Sequence, residues 1–505
     1  MNMGIKRKLL FYFTLVIFIF AVSMLVSNYD FDLWARLIAG MGVIEGHQVL
    51  KTDFLSYTPT HTWWDHEWGS GVIFYLVLKF LGPYSLVILQ ALFTTCIFVL
   101  ISKIVKMKYN VMPYSIFIYV FAIMALNQNF SSPVRCHMFS FLLFTIFIYI
   151  LELARRGKPK LLILIPFLTI FWNNVHGGVV SGLGLIGMFA LGEFLNKKPW
   201  KQYIYTLIPS CLFLAINPYG FEYIKFLLMA TTMERPEISE WWGIFSKHQM
   251  SRQIMFKLFM FSIIGVEITS FIQNIKNSSL KKWYDEQDKV KWIILIATLY
   301  LAISHVKLIP FFVISACCYA YDDIYKFGKL LNIPAFTEKI IYVMIIIMSL
   351  FSFAAKDYSI PLNYAAYPVR EVEFIRINNI KGDILTNFGL GSYVSYKLHP
   401  NNLIYMDGRY EEVYYDEMVP LLKKFFLVNP GWDEVLKKYP PEIMILEKYY
   451  PVYDALKNSD DWKLVFEGEV FGVFVLAKNA KAQYNIPTND INYYKDTLFD
   501  TDIKF

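Results

Sequence analysis

The chain has few cysteines, and their positions give no sign of a cross-linked fold. Its 505 residues contain five, none of them after residue 318: Cys96, Cys136, Cys211, Cys317 and Cys318. All five lie in or beside apolar stretches, so the sequence indicates neither a disulfide framework nor a thiolate metal site. An HExxH motif, an internal repeat and a low-complexity segment are also absent.

Charged residues are scarce as well. They make up 18% of the chain, whereas 56% of the residues are hydrophobic, 18% are aromatic and the mean hydropathy is +0.40. This composition is typical of a polytopic membrane protein rather than a soluble one. The net charge of +7 is divided unevenly, with +12 on residues 1–355 and −5 on residues 356–505. The basic surplus belongs to the apolar part, and no nucleic-acid partner is needed to explain it.

Apolar stretches of membrane-crossing length recur through residues 1–355. The length rule predicts about eleven spans, several of them short. They lie near residues 9–27, 84–102, 111–127, 137–153, 161–175, 178–195, 202–216, 254–273, 290–304, 308–320 and 339–355. The first stretch is long for the core of a signal peptide, and no convincing cleavage site precedes Asn28, so we expect a retained anchor.

Basic residues between the stretches predict their orientation. Basic clusters fall in every second connection, as the positive-inside rule requires of cytoplasmic loops. The clusters are Lys6-Arg7-Lys8, Lys103/Lys106/Lys108, Arg155-Arg156/Lys158/Lys160, Lys197-Lys198, Lys276/Lys281-Lys282/Lys289 and Lys326/Lys329. We therefore expect a cytoplasmic N-terminus and an extracytoplasmic C-terminal domain.

Two regions are expected outside the membrane. Within the first outer loop, residues 28–83, we expect amphipathic helices at Leu33 to Ile44 and Trp68 to Phe80 on the membrane surface. Residues 356–480 alternate between strand and helix patterns, which predicts a small α/β domain, followed by a polar, loosely packed tail over residues 481–505. The expected strands are ILTNF, NLIYMDGR, EIMILEK, KLVFEGE and GVFVLAK.

Motifs along nearly the whole chain resemble those of one protein family. In chain order they are Asp30-x-Asp32-x-Trp34, DFLSYT, WWDHEW, PVRCHMFSFLLF, WNNVHGG, INPYGFEYI, NFGLGSYVSY and MDGRYEEVY. They resemble a large family of bacterial membrane proteins assigned to the GT-C glycosyltransferase superfamily. The resemblance implies a multi-pass helical protein of the cytoplasmic membrane, a polyprenyl-phosphate sugar donor and an inverting transfer on the outer face. The acceptor would be an envelope glycan, lipid or protein.

The resemblance also implies a general-base carboxylate in the first outer loop. Asp30 matches that carboxylate best because it comes just after the first span, and Asp32 is the second candidate. An inverting transfer needs one carboxylate to take the proton from the acceptor hydroxyl while the lipid phosphate leaves from the opposite face. The alternative is that Asp30 or Asp32 only caps the helix that begins at Leu33.

The string Asp65-His66-Glu67 is a second candidate centre in the same loop. Glu67 and His66 offer acid/base groups or ligands for a divalent metal ion, although no specific ligand spacing accompanies them. A structural alternative is that Trp63, Trp64 and Trp68 anchor the loop at the lipid headgroups. The sequence indicates no certain cofactor, and it leaves open whether a divalent metal ion binds.

Several cations and histidines fall at the outer ends of spans, where a lipid phosphate would be held. These residues are Arg135, His137, His176, His305 and Lys307. The alternatives are that Arg135 and Lys307 reach out to lipid headgroups and that the HGG string at His176 is a plain turn. In the C-terminal domain, Asp407 and Arg409 either belong to an ordinary Asp-Gly turn or face the cleft to hold acceptor hydroxyls or phosphate.

Three functions remain open, and an outer-face glycosyltransferase that uses a lipid-linked sugar is favoured. An envelope polysaccharide polymerase or ligase would need a similar outer centre. A lipid-linked-sugar flippase or transporter is disfavoured because the spans hold few charges, whereas transport paths usually need polar groups near the midplane of the membrane.

Overall fold

The computed structural model describes residues 5–25, 29–108, 115–130, 134–277, 279–330, 335–355 and 360–505. The predicted features at Asn28, residues 111–114 and residues 356–359 lie outside these ranges. Every predicted apolar stretch carries a helix within the described residues. The helices up to residue 355 are α1 (Ile5–Ser23), α2 (Leu33–Ile44), α3 (Trp68–Leu81), α4 (Tyr84–Lys108), α5 (Ser115–Phe130), α6 (His137–Arg155), α7 (Leu164–Val175), α8 (Val179–Leu195), α9 (Lys201–Phe213), α10 (Phe221–Thr232), α11 (Ile254–Asn277), α12 (Leu280–Glu286), α13 (Lys289–Ser304), α14 (Ile309–Tyr319), α15 (Tyr321–Leu330) and α16 (Ala335–Ala355).

The lengths of these helices support a membrane protein without fixing the number of spans. Among the described residues, three helices are both long and apolar enough to cross a membrane, and they lie in α4, α6 and α11. The pair α14 and α15, bent by 60°, would make a fourth span. The other apolar helices do not meet both criteria within the described residues, so the count of about eleven spans stays a prediction.

The C-terminal domain is built on a small mixed sheet. Its elements are α17 (Val369–Ile377), β1 (Ile384–Thr386), α18 (Gly391–Leu398), α19 (Tyr410–Val413), α20 (Met418–Phe426), α21 (Glu434–Lys438), β2 (Ile443–Glu447), α22 (Pro451–Lys457), β3 (Trp462–Glu467), β4 (Phe471–Leu476) and α23 (Ile491–Asp496). The strand order is β1-β2-β4-β3, with β1 parallel to β2 and the other pairs antiparallel. All five residues of β2 are buried, as expected of a strand covered on both faces.

The predicted strand NLIYMDGR is wrong, and its true pairing joins two regions of the chain. Within this string only Ile404 makes bridges, one to Ile384 at the start of β1 and one to Ser56 in the first outer loop. The Ile404 N–H donates to the Leu55 carbonyl at 2.9 Å, and the Tyr57 N–H donates to the Ile404 carbonyl at 3.1 Å. The first outer loop therefore extends the edge of the C-terminal sheet.

Helices α2 and α3 form where the sequence predicts them, but α2 does not lie exposed on the membrane surface. Ten of its residues, from Leu33 to Gly42, are buried, and its neighbours are α3 and α18. The backbones of α2 and α3 approach so closely at two glycines that a Cβ added to Gly40 would lie 2.2 Å from the Gly71 carbonyl oxygen. Protein, rather than lipid, covers the apolar face of α2.

Residues 481–505 are packed against the rest of the protein, so the prediction of a loose tail is wrong. Leu498 and Ile503 are buried. The ring of Phe499 lies 5.2 Å from the ring of Trp34 and 5.1 Å from that of Tyr29. A few large apolar side chains hold this mostly polar segment against the first outer loop.

Candidate active site

A cavity of about 1030 Å³ lies where the helices, the first outer loop and the C-terminal domain meet. Ten of the eleven residues singled out from the sequence line it: Asp30, Asp32, His66, Glu67, Arg135, His137, His176, His305, Lys307 and Arg409. Residues that are far apart in sequence are thus brought together around one space. The eleventh, Asp407, is fully buried behind Arg409.

One side of the cavity is apolar. Its lining there comes from α6, α8, α13 and α14, and includes Phe141, Phe144, Met188, Leu301 and Phe311. The C-terminal domain lines another part with polar groups, among them Asn387, Tyr410 and Tyr450, and with apolar groups such as Leu422 and Phe426. The cavity can therefore accept a molecule that is apolar at one end and polar at the other.

Arg135, just before α6, is the centre of a carboxylate cluster. Its Nη2 lies 2.8 Å from Asp32 Oδ2, its Nε lies 3.3 Å from Asp30 Oδ2, and its Nη1 is bonded to Glu240 Oε1. The side chain is 25% exposed, toward the cavity. Arg135 is therefore held by carboxylates of the protein, which disfavours the alternative interpretation that it reaches out to lipid headgroups.

The two aspartates of the first outer loop make different contacts. Asp30 Oδ1 accepts the backbone N–H of Asp32 at 3.0 Å, which stabilises the turn leading into α2. Asp32 is the N-cap residue of α2, yet its side chain makes no capping hydrogen bond. The capping alternative thus accounts for one oxygen of Asp30 and for neither oxygen of Asp32.

The protonation of Asp30 is shifted by its surroundings. Burial raises the pKa of this carboxyl to about 8; Arg135 acts in the opposite direction, and the neighbouring carboxylates Asp32 and Glu240 raise it further. A carboxylate with a raised pKa is a stronger base than an ordinary aspartate. The deprotonated form of Asp30, which is the minor form at neutral pH, is thus suited to accept a proton.

A second charged cluster surrounds His66. Its Nδ1 lies 3.1 Å from Glu412 Oε1 and its Nε2 lies 3.6 Å from Glu67 Oε1. Burial alone would lower the pKa of His66, but Glu67 and Glu412 outweigh it and raise the pKa to about 9. The same cluster includes Arg36, whose Nη2 donates to Glu412 Oε2 at 2.8 Å and which also pairs with Asp65.

His176 is a neutral donor in this cluster. Its Nδ1 accepts the Gly178 N–H at 2.8 Å and lies 2.7 Å from Ser140 Oγ, so Nδ1 carries no proton and Nε2 carries one. That Nε2 lies 3.3 Å from Glu67 Oε1. Burial lowers the pKa of His176 to about 3, against the influence of Glu67. His176 forms the predicted turn and also orients Glu67.

His66, Glu67 and Glu412 are the described residues that could together hold a metal ion, because their ligand atoms lie within 4.8 Å of one another. His176 does not fit as a further ligand, since the proton on Nε2 points at Glu67. Arg36 already supplies positive charge to Glu412, which makes the site less attractive to a second cation. Binding of a metal ion by these three residues stays a prediction.

A further cation, Lys307, lies against an aromatic ring in the cavity lining. The Lys307 Nζ lies 4.2 Å from the ring centroid of Trp241, and among the described residues no carboxylate forms an ion pair with it. On the same indole, the Arg235 guanidinium lies 4.5 Å from the centroid and is paired with Glu411 at 2.7 Å. His305 holds this indole in place through Nδ1, 2.7 Å from the Trp241 carbonyl oxygen.

Asp407 and Arg409 form a buried structural pair. The Arg409 Nε donates to Asp407 Oδ1 at 2.8 Å, and its Nη1 donates to Asp53 Oδ1 at 2.6 Å. The guanidinium also lies 4.5 Å from the ring centroid of Trp63. Each guanidinium nitrogen of Arg409 donates to a protein group. These contacts favour the interpretation that Asp407 and Arg409 have a structural role. Trp63 is itself fully buried and cannot anchor the loop at lipid headgroups.

Sequence reasoning missed two carboxylates that contact predicted site residues, Glu412 beside His66 and Glu240 beside Arg135. Glu412 comes from the C-terminal domain, and its backbone carbonyl accepts the Trp64 N–H at 3.0 Å. Glu240 lies in the connection between α10 and α11. Glu240 is a single glutamate in a connecting segment without any motif, whereas Glu412 belongs to the MDGRYEEVY string and lies in the short helix α19.

Comparison with known proteins finds distant structural likeness and no sequence relative. No protein-family model and no curated protein matches the chain. The cryo-EM structure of the arabinofuranosyltransferase AftD from Mycobacteria is similar over 95% of this chain and 40% of AftD, with 10% sequence identity and a TM-score of 0.48. The chain spans less than half the length of AftD, and a likeness at this level identifies neither a family nor an activity.

Proposed function

We propose that this chain is a membrane glycosyltransferase that moves a sugar from a polyprenyl-phosphate donor to an envelope acceptor. The observation that carries the proposal is the cavity itself, in which carboxylates and cations meet beside an apolar wall. An isoprenoid chain fits against Phe141, Phe144 and Phe311. The phosphate fits between Arg135 and Lys307, because a guanidinium can bond two phosphate oxygens at once.

Asp30 is the proposed general base, and Asp32 is its partner on Arg135. The acceptor hydroxyl oxygen forms the new bond to the anomeric carbon while the bond from that carbon to the phosphate oxygen breaks. The hydroxyl proton passes to Asp30, and the polyprenyl phosphate leaves with the electron pair of the broken bond. Attack from the face opposite the phosphate inverts the anomeric centre.

The part of the cavity that is lined by Asn387, Tyr410 and Tyr450 is the proposed entrance for the acceptor. It is formed by the C-terminal domain, which we place outside the cytoplasmic membrane together with the first outer loop. A glycan, a lipid headgroup or a protein hydroxyl would each supply the required nucleophile.

The experiment that tests this function supplies purified protein in nanodiscs with defined polyprenyl-phosphate sugars and measures release of free polyprenyl phosphate. Transfer should release it in step with glycosylation of an acceptor. A flippase would bind the donor without releasing free lipid phosphate. Mass-spectrometric comparison of envelope glycans and glycolipids from cells with and without the gene would identify the product, and unchanged profiles would contradict the proposal.

A further inference from the structure

Arg135 carries more negative charge around it than one guanidinium balances. Asp30, Asp32 and Glu240 all contact it. Lys307 is a second cation on this side of the cavity, and Arg235 is already paired with Glu411. The formal charge of Arg135, Lys307 and the three carboxylates is −1 when all are ionised and 0 when Asp30 holds a proton, so no net positive charge is left for an incoming anion. A phosphate that joins this set without a rearrangement would come into contact with a carboxylate of like charge, which is strongly unfavourable.

The three carboxylates differ in how firmly they are held. Asp30 is fixed by the backbone N–H of Asp32. Asp32 is 39% exposed and pairs with Arg135, and its Oδ1 lies against Gly408, in the space that an added Cβ would fill. Glu240 makes its one polar side-chain contact among the described residues with Arg135, is 38% exposed and lies outside the loop that carries the two aspartates.

The segment that carries Glu240 can release its carboxylate without unfolding. A short 3-10 turn, Ser239–Trp241, holds the backbone. The segment is attached through the Trp241 carbonyl to His305 and through the Ile244 N–H to the Ile303 carbonyl at 3.0 Å. Neither attachment involves the Glu240 side chain, so rotation of that side chain into water breaks only the bond to Arg135.

We propose that Glu240 is a displaceable counter-ion: the anionic phosphate of the donor takes its place on Arg135, and the carboxylate turns out to solvent. The inference rests on the proposed function, because it requires a phosphate-bearing ligand. Glu240 then makes Arg135 selective, since only an anion that binds Arg135 and Lys307 together replaces it. A neutral lipid gains nothing from the exchange.

The test measures equilibrium retention of a radiolabelled polyprenyl monophosphate on immobilised, detergent-solubilised protein. Glu240→Gln should bind this probe about three- to tenfold more tightly than wild type. The competing carboxylate is gone, so it no longer has to turn away from Arg135 before the phosphate binds. Glu237→Gln is the matched control, since Glu237 lies in the same segment and pairs with Lys423 instead. It should stay within about twofold of wild type.

Equal or weaker binding by Glu240→Gln would overturn the inference and make Glu240 a structural clamp for Arg135. Should that variant be unstable, Glu240→Asp decides, because a shorter side chain withdraws the carboxylate and should also tighten binding. Neutral polyprenol should bind wild type and Glu240→Gln with equal affinity, and a gain in affinity for polyprenol would equally refute the exchange.

Failure of the proposed function would give a different result. In that case wild type would bind the phosphate probe no better than the Arg135→Ala variant does.

Discussion

Asp30 and Asp32 are two residues apart and share Arg135, yet only Asp30 takes part in the turn before α2. An asparagine at position 30 still offers its side-chain oxygen to the Asp32 N–H, so the turn should survive while the base is lost. We expect Asp30→Asn to retain folding and to lower transfer by roughly 10² to 10⁴, the usual contribution of a general base.

The comparison with Asp32→Asn decides which aspartate is the base. The protein from both variants is first checked for membrane insertion and elution profile, and released polyprenyl phosphate is then measured. Asp32→Asn should be milder if Asp32 only positions Arg135, whereas equal losses would indicate a paired site. Wild-type turnover by Asp30→Asn would remove Asp30 from the mechanism.

His66 gives a prediction on pH. Its pKa is raised from 6.5 to about 9 in the folded protein by Glu67 and Glu412, although burial opposes the shift. The charged imidazole therefore stabilises the fold fully below the ordinary pKa, and this stabilisation disappears as the pH rises through about 9. The melting temperature of wild type should exceed that of His66→Gln most at about pH 6, and the difference should shrink above about pH 9.

The exposed His248 supplies the control substitution. His248→Gln should melt close to wild type at each pH, because a substitution on the surface usually changes stability by less than about 0.5 kcal/mol. A difference between wild type and His66→Gln that is constant with pH would show that packing, not charge, is what His66 contributes.

At the scale of elements, the contact between α2 and α3 sets the position of the first outer loop. A Cβ added to Gly71 would lie 2.4 Å from the Arg36 carbonyl oxygen, which belongs to a helix backbone and cannot move aside. Gly71→Ala should therefore destabilise the protein by about 1–3 kcal/mol, as overpacking typically does. Thermal unfolding in detergent measures the loss.

Gly265 on α11 provides the matched substitution, because nothing lies within 4 Å of the Cβ it would gain. Gly265→Ala should be neutral or stabilise by up to about 1 kcal/mol, since alanine favours a helix. If both alanines have the same effect, the close approach of α2 and α3 is not what holds the loop.

For the whole molecule, the orientation in the membrane is the main prediction. The basic clusters predict that α12 faces the cytoplasm and that the C-terminal domain lies outside. In a variant that lacks the native cysteines, a cysteine at the exposed Asn401 should react with an impermeant maleimide on intact spheroplasts, and a cysteine at the exposed Asp285 should not. Labelling in the reverse pattern would invert the topology and remove the proposed outer-face transfer.

How much the sequence could predict depended on the range of the interactions. The positions of α2 and α3 follow from local periodicity, and the structure confirms both to within one residue. The strand expected around Ile404 failed because its apolar residues pair with single residues from two distant segments instead of forming a ladder. The tail was misjudged because average polarity hides single anchors such as Phe499.

By itself, the sequence determined that this is a largely apolar, helical chain with basic connections and an acidic C-terminal domain, because composition and helical periodicity are local properties. Only the tertiary structure decided that Glu412 and Glu240 join the residues of the first outer loop around one cavity. Such contacts join residues more than 100 positions apart, and a single carboxylate gives no local pattern. Burial then decides which of these groups hold a proton, since the free energy of a charge depends on everything packed around it.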